Sequence, residues 1–347
     1  MTDLAEQVRN ALATVQDPDL HQDLVALNMV REISVVDGVA RFQLVLTTGA
    51  CPVKQQLEDQ CRAAACSVPG VGSAEIAVSA EVPKRAARAE VLPGVRHLIG
   101  VGSGKGGVGK STVTVNLACA LAATGARVGL LDADIYGPSV PLMMGVNKQP
   151  YVIDKKMVPL ERHGVKIISM GFLLEAKQAV MLRGPMVGKA VEQLVTDVRW
   201  GELDYLLIDL PPGTGDVQMS LAQTVPLAGV VVVSTPQAVA LADARRSVAM
   251  FDKLNIAIFG IVENMSEFVC PSCGHVEAIF GAGGVEKEAL ELDVPFLGRI
   301  PLEPGVRIAG DDGTPVVLAA PQSRSAAAFT TLAGKVAQQA SIYALEG

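Results

Sequence analysis

Apolar positions recur along the chain with two different periods, and the places where the period changes divide it. Leu4, Val8, Leu12 and Val15 fall at near-helical spacing; Ala40, Phe42, Leu44 and Leu46 then alternate with Arg41, Gln43 and Val45, which predicts a helix followed by a strand. A second helix follows, with Pro52 suited to its first position, an apolar stripe of Val53, Leu57, Cys61 and Ala64 or Ala65, and Pro69-Gly70 as its stop. A short strand over 74–78 completes a small α+β domain, residues 1–82. Between 83 and 96 the apolar period disappears and Lys84, Arg85, Arg88 and Pro93 give the composition of a linker. From 97 to 347, apolar runs at 98–101, 128–131, 165–169, 205–208, 229–233 and 256–262 alternate with helical stretches. That alternation predicts an α/β domain with a mostly parallel sheet covered by helices on both faces.

Composition narrows the possible functions. Half of the 347 residues are apolar and 19% are charged, which excludes a disordered chain. The 29 basic residues are outnumbered by 36 acidic ones, net −7, so no overall positive field is available to hold nucleic acid or an anionic membrane. The longest apolar run, 227–234, is far short of the roughly 20 residues that cross a bilayer. Residues 1–10 carry Asp3 and Glu6 and have no secretory pattern, so a cytoplasmic protein without stable membrane association is expected. Six cysteines in a reducing compartment argue for metal binding or thiol chemistry over a disulfide framework.

Gly102-Ser103-Gly104-Lys105-Gly106-Gly107-Val108-Gly109-Lys110-Ser111 lies between a predicted strand and the helical stretch 112–122, and it contains G-x-x-x-x-G-K-S. Glycines in that setting let backbone N–H groups converge on phosphate oxygens at a helix N-terminus. Lys110 is placed to neutralise β/γ charge and Ser111 to ligate Mg²⁺, with Thr112 following at the helix start. Asp132 and Asp134 end one predicted strand and Asp209 ends another, at the carboxyl edge where open α/β sheets bind nucleotides. Asp216 lies farther along, where a helix cap is the competing role. The guanine-reading Asn-Lys-x-Asp pattern fails, because Asn147-Lys148-Gln149 is followed by Pro150, and ATP is the expected nucleotide.

Cys270-Pro271-Ser272-Cys273 is a C-x-x-C pair in a polar segment that continues into Gly274 and His275. A closed zinc site or an iron–sulfur cluster takes about four soft ligands, and no second pair follows. Two copies meeting about a two-fold axis would supply four thiolates to one bridging centre. Zn²⁺ on the same thiolates, Cys270 and Cys273 with His275 and an outside ligand, or a redox dithiol satisfy the spacing as well.

The signatures GKGGVGKS (104–111), DADIYGPSVP (132–141), RGPM (183–186), DLPPGTGD (209–216), VENMS (262–266) and CPSC (270–273) together resemble the Mrp/ApbC family of iron–sulfur cluster carrier ATPases. This branch belongs to the deviant Walker A superfamily of P-loop NTPases that includes MinD, ParA and the nitrogenase iron protein. The resemblance implies that Lys105 reaches across a homodimer to the partner's phosphates, that Asp134 orients the attacking water, and that Asp209 holds Mg²⁺. It also implies that Asn264 contacts adenine and that Cys270 and Cys273 share a 4Fe–4S cluster with a second copy for delivery to apo-proteins. Hydrolysis is expected to be slow, since no glutamine stands out as a counterpart of the GTPase water-positioning residue. MinD's basic amphipathic tail has no counterpart here, because 326–347 contains a single basic residue, Lys335. The first domain is similar to the PaaD-like module of iron–sulfur assembly factors through Asp17-Pro18, Asp23-Leu24-Val25 and Thr47-Thr48-Gly49-Ala50-Cys51-Pro52. Cys51, just before a predicted helix, is a candidate transfer thiol or client contact, with loop capping as the plainer role.

Overall fold

The computed structural model describes residues 3–18, 20–83, 92–135, 137–172 and 184–345. Most of the expected linker, Tyr136 of the DADIYGPSVP segment and Arg183 of RGPM lie outside them. The chain divides into two units, Met1–Pro83 with Ala337–Gly347, and Lys84–Val336.

In the first unit, α1 (Leu4–Leu12) is capped by Asp3, whose carboxylate accepts from the Ala5 N–H at 3.3 Å, and it buries Val8 and Leu12. β1 (Val30–Val36) and β2 (Val39–Leu46) form an antiparallel hairpin around Asp37-Gly38, both with positive φ, as a tight two-residue turn requires. α2 (Lys54–Cys66) then crosses over to β3 (Ser73–Ala80), which runs parallel to β2. Leu57, Cys61 and Ala65 form the buried stripe of α2, as the spacing predicts. β1 does not stand out in the sequence, because a bulge between Arg31 and Ser34, with Glu32 at φ 56°, breaks its alternation. Pro52 precedes the helix instead of opening it: Cys51-Pro52-Val53 form a turn, with the Lys54 N–H on the Cys51 carbonyl at 3.4 Å. The sequence pattern ended this domain at 82, whereas Ala337–Gly347 also belong to the unit.

The second unit is built on β4 (Val95–Gly102), α3 (Lys110–Ala123), β5 (Val128–Asp132), α4 (Val140–Met143), the small hairpin β6 (Tyr151–Ile153) and β7 (Lys156–Val158), β8 (Leu160–Arg162) and β9 (Val165–Ser169). It continues with α5 (Gly184–Thr196), β10 (Leu203–Asp209), α6 (Asp216–Thr224), β11 (Gly229–Ser234), α7 (Ala238–Lys253), β12 (Ile258–Val269), β13 (Val276–Glu277), α8 (Gly284–Glu291), β14 (Phe296–Leu302), α9 (Pro304–Asp311), α10 (Val316–Ala319) and, up to Val336, α11 (Arg324–Leu345). The main sheet has the order β14-β12-β11-β4-β10-β5-β9-β8, all parallel except β8, with β13 paired antiparallel to the far end of β12. β5 and β11 are buried along their whole length, which explains their continuous apolar runs. Asp209 pairs in register with Val101 on one side and Asp132 on the other, so β4, β10 and β5 end together. That shared carboxyl edge holds the loop between β4 and α3.

Candidate functional site: a buried nucleotide loop and an exposed cysteine hairpin

The loop after β4 is packed at its base and open at its mouth. Gly107 and Gly109 take left-handed backbone at φ 83° and 82°, and Gly109 caps α3. A Cβ on Gly104 would collide with the Asp243 carbonyl and one on Gly109 with the Asn264 amide, whereas Gly106 and Gly107 face open space. The close approaches pin the loop to α7 and β12 and leave its crown free for a ligand. Asn264 also donates from Nδ2 to the Val108 carbonyl at 2.8 Å, which fixes the loop from the β12 side.

Beneath the loop, charge is buried and paired. Lys110 is 6% exposed, and its Nζ lies 2.8 Å from Asp209 Oδ2 and 4.0 Å from Asp134 Oδ2. Ser111 Oγ donates to Asp209 Oδ2 at 2.6 Å and Thr114 Oγ1 to Asp209 Oδ1 at 2.7 Å. Asp132 lies on the neighbouring strand; burial first, and then the adjacent Asp209 charge, push its carboxyl well above the usual carboxylate range. The Ser169 hydroxyl at 3.0 Å and the Asp134 N–H at 3.1 Å, both donating to Asp132, oppose that shift. Lys105 is half-buried, and its ammonium makes no hydrogen bond or ion pair with another described residue. Asp216 is exposed in the first turn of α6. Beside Thr112 a cavity of about 310 Å³ opens, lined mainly by apolar side chains including Val115, Met265, Leu302 and Val306, with Asn116 and Asn264 among the polar ones.

Backbone N–H groups at the loop suit an anion, and the Ser111 and Asp209 oxygens are of the hard type that suits a divalent cation. Thr114 and Ser169 were missed in the sequence. Thr114 is one turn beyond Lys110 and Ser169 ends a predicted strand, so only the fold shows which carboxylate each one meets.

The cysteine pair has the opposite setting. It forms the tip of the β12–β13 hairpin, where the Cys270 N–H donates to the His275 carbonyl at 2.8 Å and the Gly274 N–H to the Cys270 carbonyl at 2.9 Å. Gly274 turns the chain at φ 71°. Cys273 and His275 are exposed and Cys270 is half-buried. The backbone N–H groups of Cys273 and Ser272, followed by the Cys273 thiol, hold the Cys270 thiol below the ordinary cysteine value. Among the described residues, no three His, Cys, Asp or Glu side chains converge as a metal site. Cys61 and Cys119 are packing residues, pushed up by burial to about 11 and about 12. Cys51 lines a small recess in the first unit together with Met29 and Thr48.

A glycine loop joining a parallel strand to a helix, with lysine, serine and aspartate converging at the strand ends, defines a P-loop nucleoside triphosphatase. The chain belongs to the family of NUBPL iron-transfer P-loop NTPases, whose profile matches residues 94–337; that of iron–sulfur cluster assembly proteins matches 5–78. The chain is 46% identical to the iron–sulfur cluster carrier protein of Synechocystis sp. over 98% of its own length and 99% of the relative's. It is 52% identical to that of Deinococcus radiodurans over 96% and 95%. A nucleotide-binding protein of Archaeoglobus fulgidus, solved in complex with ADP, aligns with TM-score 0.58 and 40% identity, covering 65% of this chain and 89% of that one. The ATPase assignment made from the phosphate loop therefore holds. Among the described residues no helix is long and apolar enough to cross a membrane.

Proposed function

We propose that the protein is a homodimeric ATPase that holds a labile iron–sulfur cluster, of the 4Fe–4S type, between its subunits and passes it to apo-proteins in the cytoplasm. The observation that carries this reading is the cysteine hairpin: two thiols on an exposed tip, one held toward thiolate, with no third ligand beside them among the described residues. A second copy brings the missing pair, and the exposed position leaves the cargo accessible to an acceptor.

The nucleotide site supplies the control. ATP seats its phosphates on the backbone of 104–112, where Lys110 exchanges its contact with Asp209 for the β- and γ-phosphates. Ser111 and Asp209 are the oxygen ligands that would hold Mg²⁺, which supplies charge neutralisation on the phosphates. Asp134, near Lys110 at the end of β5, orients the attacking water, and Lys105, without a partner among the described residues, reaches the nucleotide of the second subunit. The cavity beside Thr112 takes the base, with Asn264 at its rim. ATP binding closes the dimer and hydrolysis relaxes it, which changes the separation of the two cysteine pairs and so the grip on the cluster. Cys51 serves as a transfer thiol toward client proteins or assembly factors.

The test is the double variant C270A/C273A, reconstituted anaerobically with iron and sulfide. Iron and sulfide binding is expected to be lost while ATP affinity stays within about twofold. Full iron and sulfide content in that variant would overturn the reading, and a colourless zinc-loaded wild type would replace the cargo with a structural metal.

A further inference from the structure

Gln218 lies two residues beyond Asp216 in α6 and is 1% exposed. Neither its Oε1 nor its Nε2 has a hydrogen-bond partner among the described residues. The amide is lodged at the root of the phosphate loop: a Cβ built on Gly102 would stand 3.0 Å from Gln218 Nε2 and 3.3 Å from the Phe251 ring. Ser247, one turn before Phe251 on the same face of α7, is also fully buried with an unpaired hydroxyl. The backbone already links the two segments, since the Gly213 N–H donates to the Ser103 carbonyl at 2.9 Å.

A buried amide with both ends idle is a cost that methionine or leucine of similar size would avoid. Its presence makes physical sense if the amide is paired in another state of the site. The path from the loop to α6 is short, because Gly102 lies against the Gln218 amide and the Ser103 carbonyl accepts from the Gly213 N–H. We infer that Gln218 is a positioning residue for ATP hydrolysis. With triphosphate bound, its amide gains partners in the backbone of the loop or of the 210–215 turn, which couples loading of the loop to the segment that follows Asp209. The inference rests on the loop being the ATP site, and ATP turnover by the wild-type protein tests that premise separately.

The test compares wild type with Gln218→Met and Gln218→Leu, by thermal melting with and without Mg²⁺ and a slowly hydrolysed ATP analogue, and by steady-state ATP hydrolysis. Both variants are expected to melt no lower than wild type without nucleotide and to lose at least about 2 °C of the rise that the analogue produces. kcat is expected to fall roughly tenfold and KM to rise by about two- to fivefold, the latter matching the lost analogue stabilisation, because the amide's new partners form in the triphosphate-bound state. If both variants melt lower by the same amount with and without analogue, or fail to fold, the amide is already satisfied in the free protein, by internal water for example, and the inference is wrong. Unchanged kcat together with an unchanged analogue-induced rise would overturn it equally.

Discussion

The phosphate loop and the cysteine hairpin lie in the same unit and are built on opposite principles. At the loop, Lys110 and Asp209 are buried, and the carboxylate is held by Lys110, Ser111 and Thr114 at 2.6–2.8 Å. Charges withdrawn from water this far persist only when each is paired, so the Lys110–Asp209 base of the site is formed within one chain before any ligand arrives. At the hairpin one thiol is exposed and the other half-buried, the turn is held by two backbone hydrogen bonds, and a third ligand is lacking among the described residues. The contrast fits a division of labour: a rigid site suits a ligand that must be oriented for reaction, and an incomplete, exposed one suits a cargo that must leave.

The sharpest way to break this contrast is Lys110→Ala. ATP turnover is expected to fall at least about 100-fold. Loss of the buried cation leaves Asp209 without its counter-charge and is expected to cost about 3–5 kcal/mol of stability in the nucleotide-free protein. Iron and sulfide content per folded chain should stay at the wild-type level, measured by reconstitution alongside thermal melting. If the cluster is lost in nucleotide-free protein that is still folded, the hairpin needs the loop to load its cargo and not only to release it.

Thiol chemistry reads the same contrast directly. Cys270 lies below the ordinary value of 9.0, whereas Cys61 and Cys119 are raised to about 11 and about 12. A lowered value means that thiolate is already present at lower pH, so the Cys270 alkylation rate should level off at a lower pH than that of an ordinary cysteine. The raised pair stays protonated at neutral pH. In the cluster-free native protein at pH 7.5, iodoacetamide is expected to modify Cys270 at least about 100-fold faster than Cys61 or Cys119, followed by peptide mass spectrometry. Comparable rates would mean that the hairpin is no more reactive than the core.

Gly109→Ala probes how tightly the loop is built. The left-handed φ costs a non-glycine residue about 1–2 kcal/mol, and the added methyl displaces the Asn264 amide. ATP affinity is expected to drop roughly tenfold, by calorimetric titration, with the hairpin's iron content unchanged. Ser169→Ala is the mildest change: it removes one donor to the buried Asp132 carboxyl and is expected to cost about 1–2 kcal/mol in urea unfolding. Loss of ATP binding in that variant would give Ser169 a larger part than holding Asp132.

Much of the architecture was legible because its causes are local. The six apolar runs of the second domain all became strands of the main sheet, since strands covered on both faces need continuous apolar stretches. β14 escaped notice: Phe296–Leu302 contains Gly298, Arg299 and Pro301 and lacks such a run. β1 escaped through its bulge. Gln218 was invisible for a different reason, because a glutamine in a polar-looking turn of helix reads as surface until neighbouring elements close over it.

Spacing along the chain was enough to determine the phosphate loop, the parallel-sheet class and the cysteine pair, because a strand–loop–helix transition and a C-x-x-C hairpin each form from neighbouring residues. Only the tertiary structure decided which distant groups meet. It brought Asn264 onto the Val108 carbonyl across 156 residues and Thr114 onto Asp209 across 95. It also placed Asp132 beside Asp209 at one sheet edge. Those meetings depend on strand order and register, which follow from packing the whole core and not from any local run of side chains.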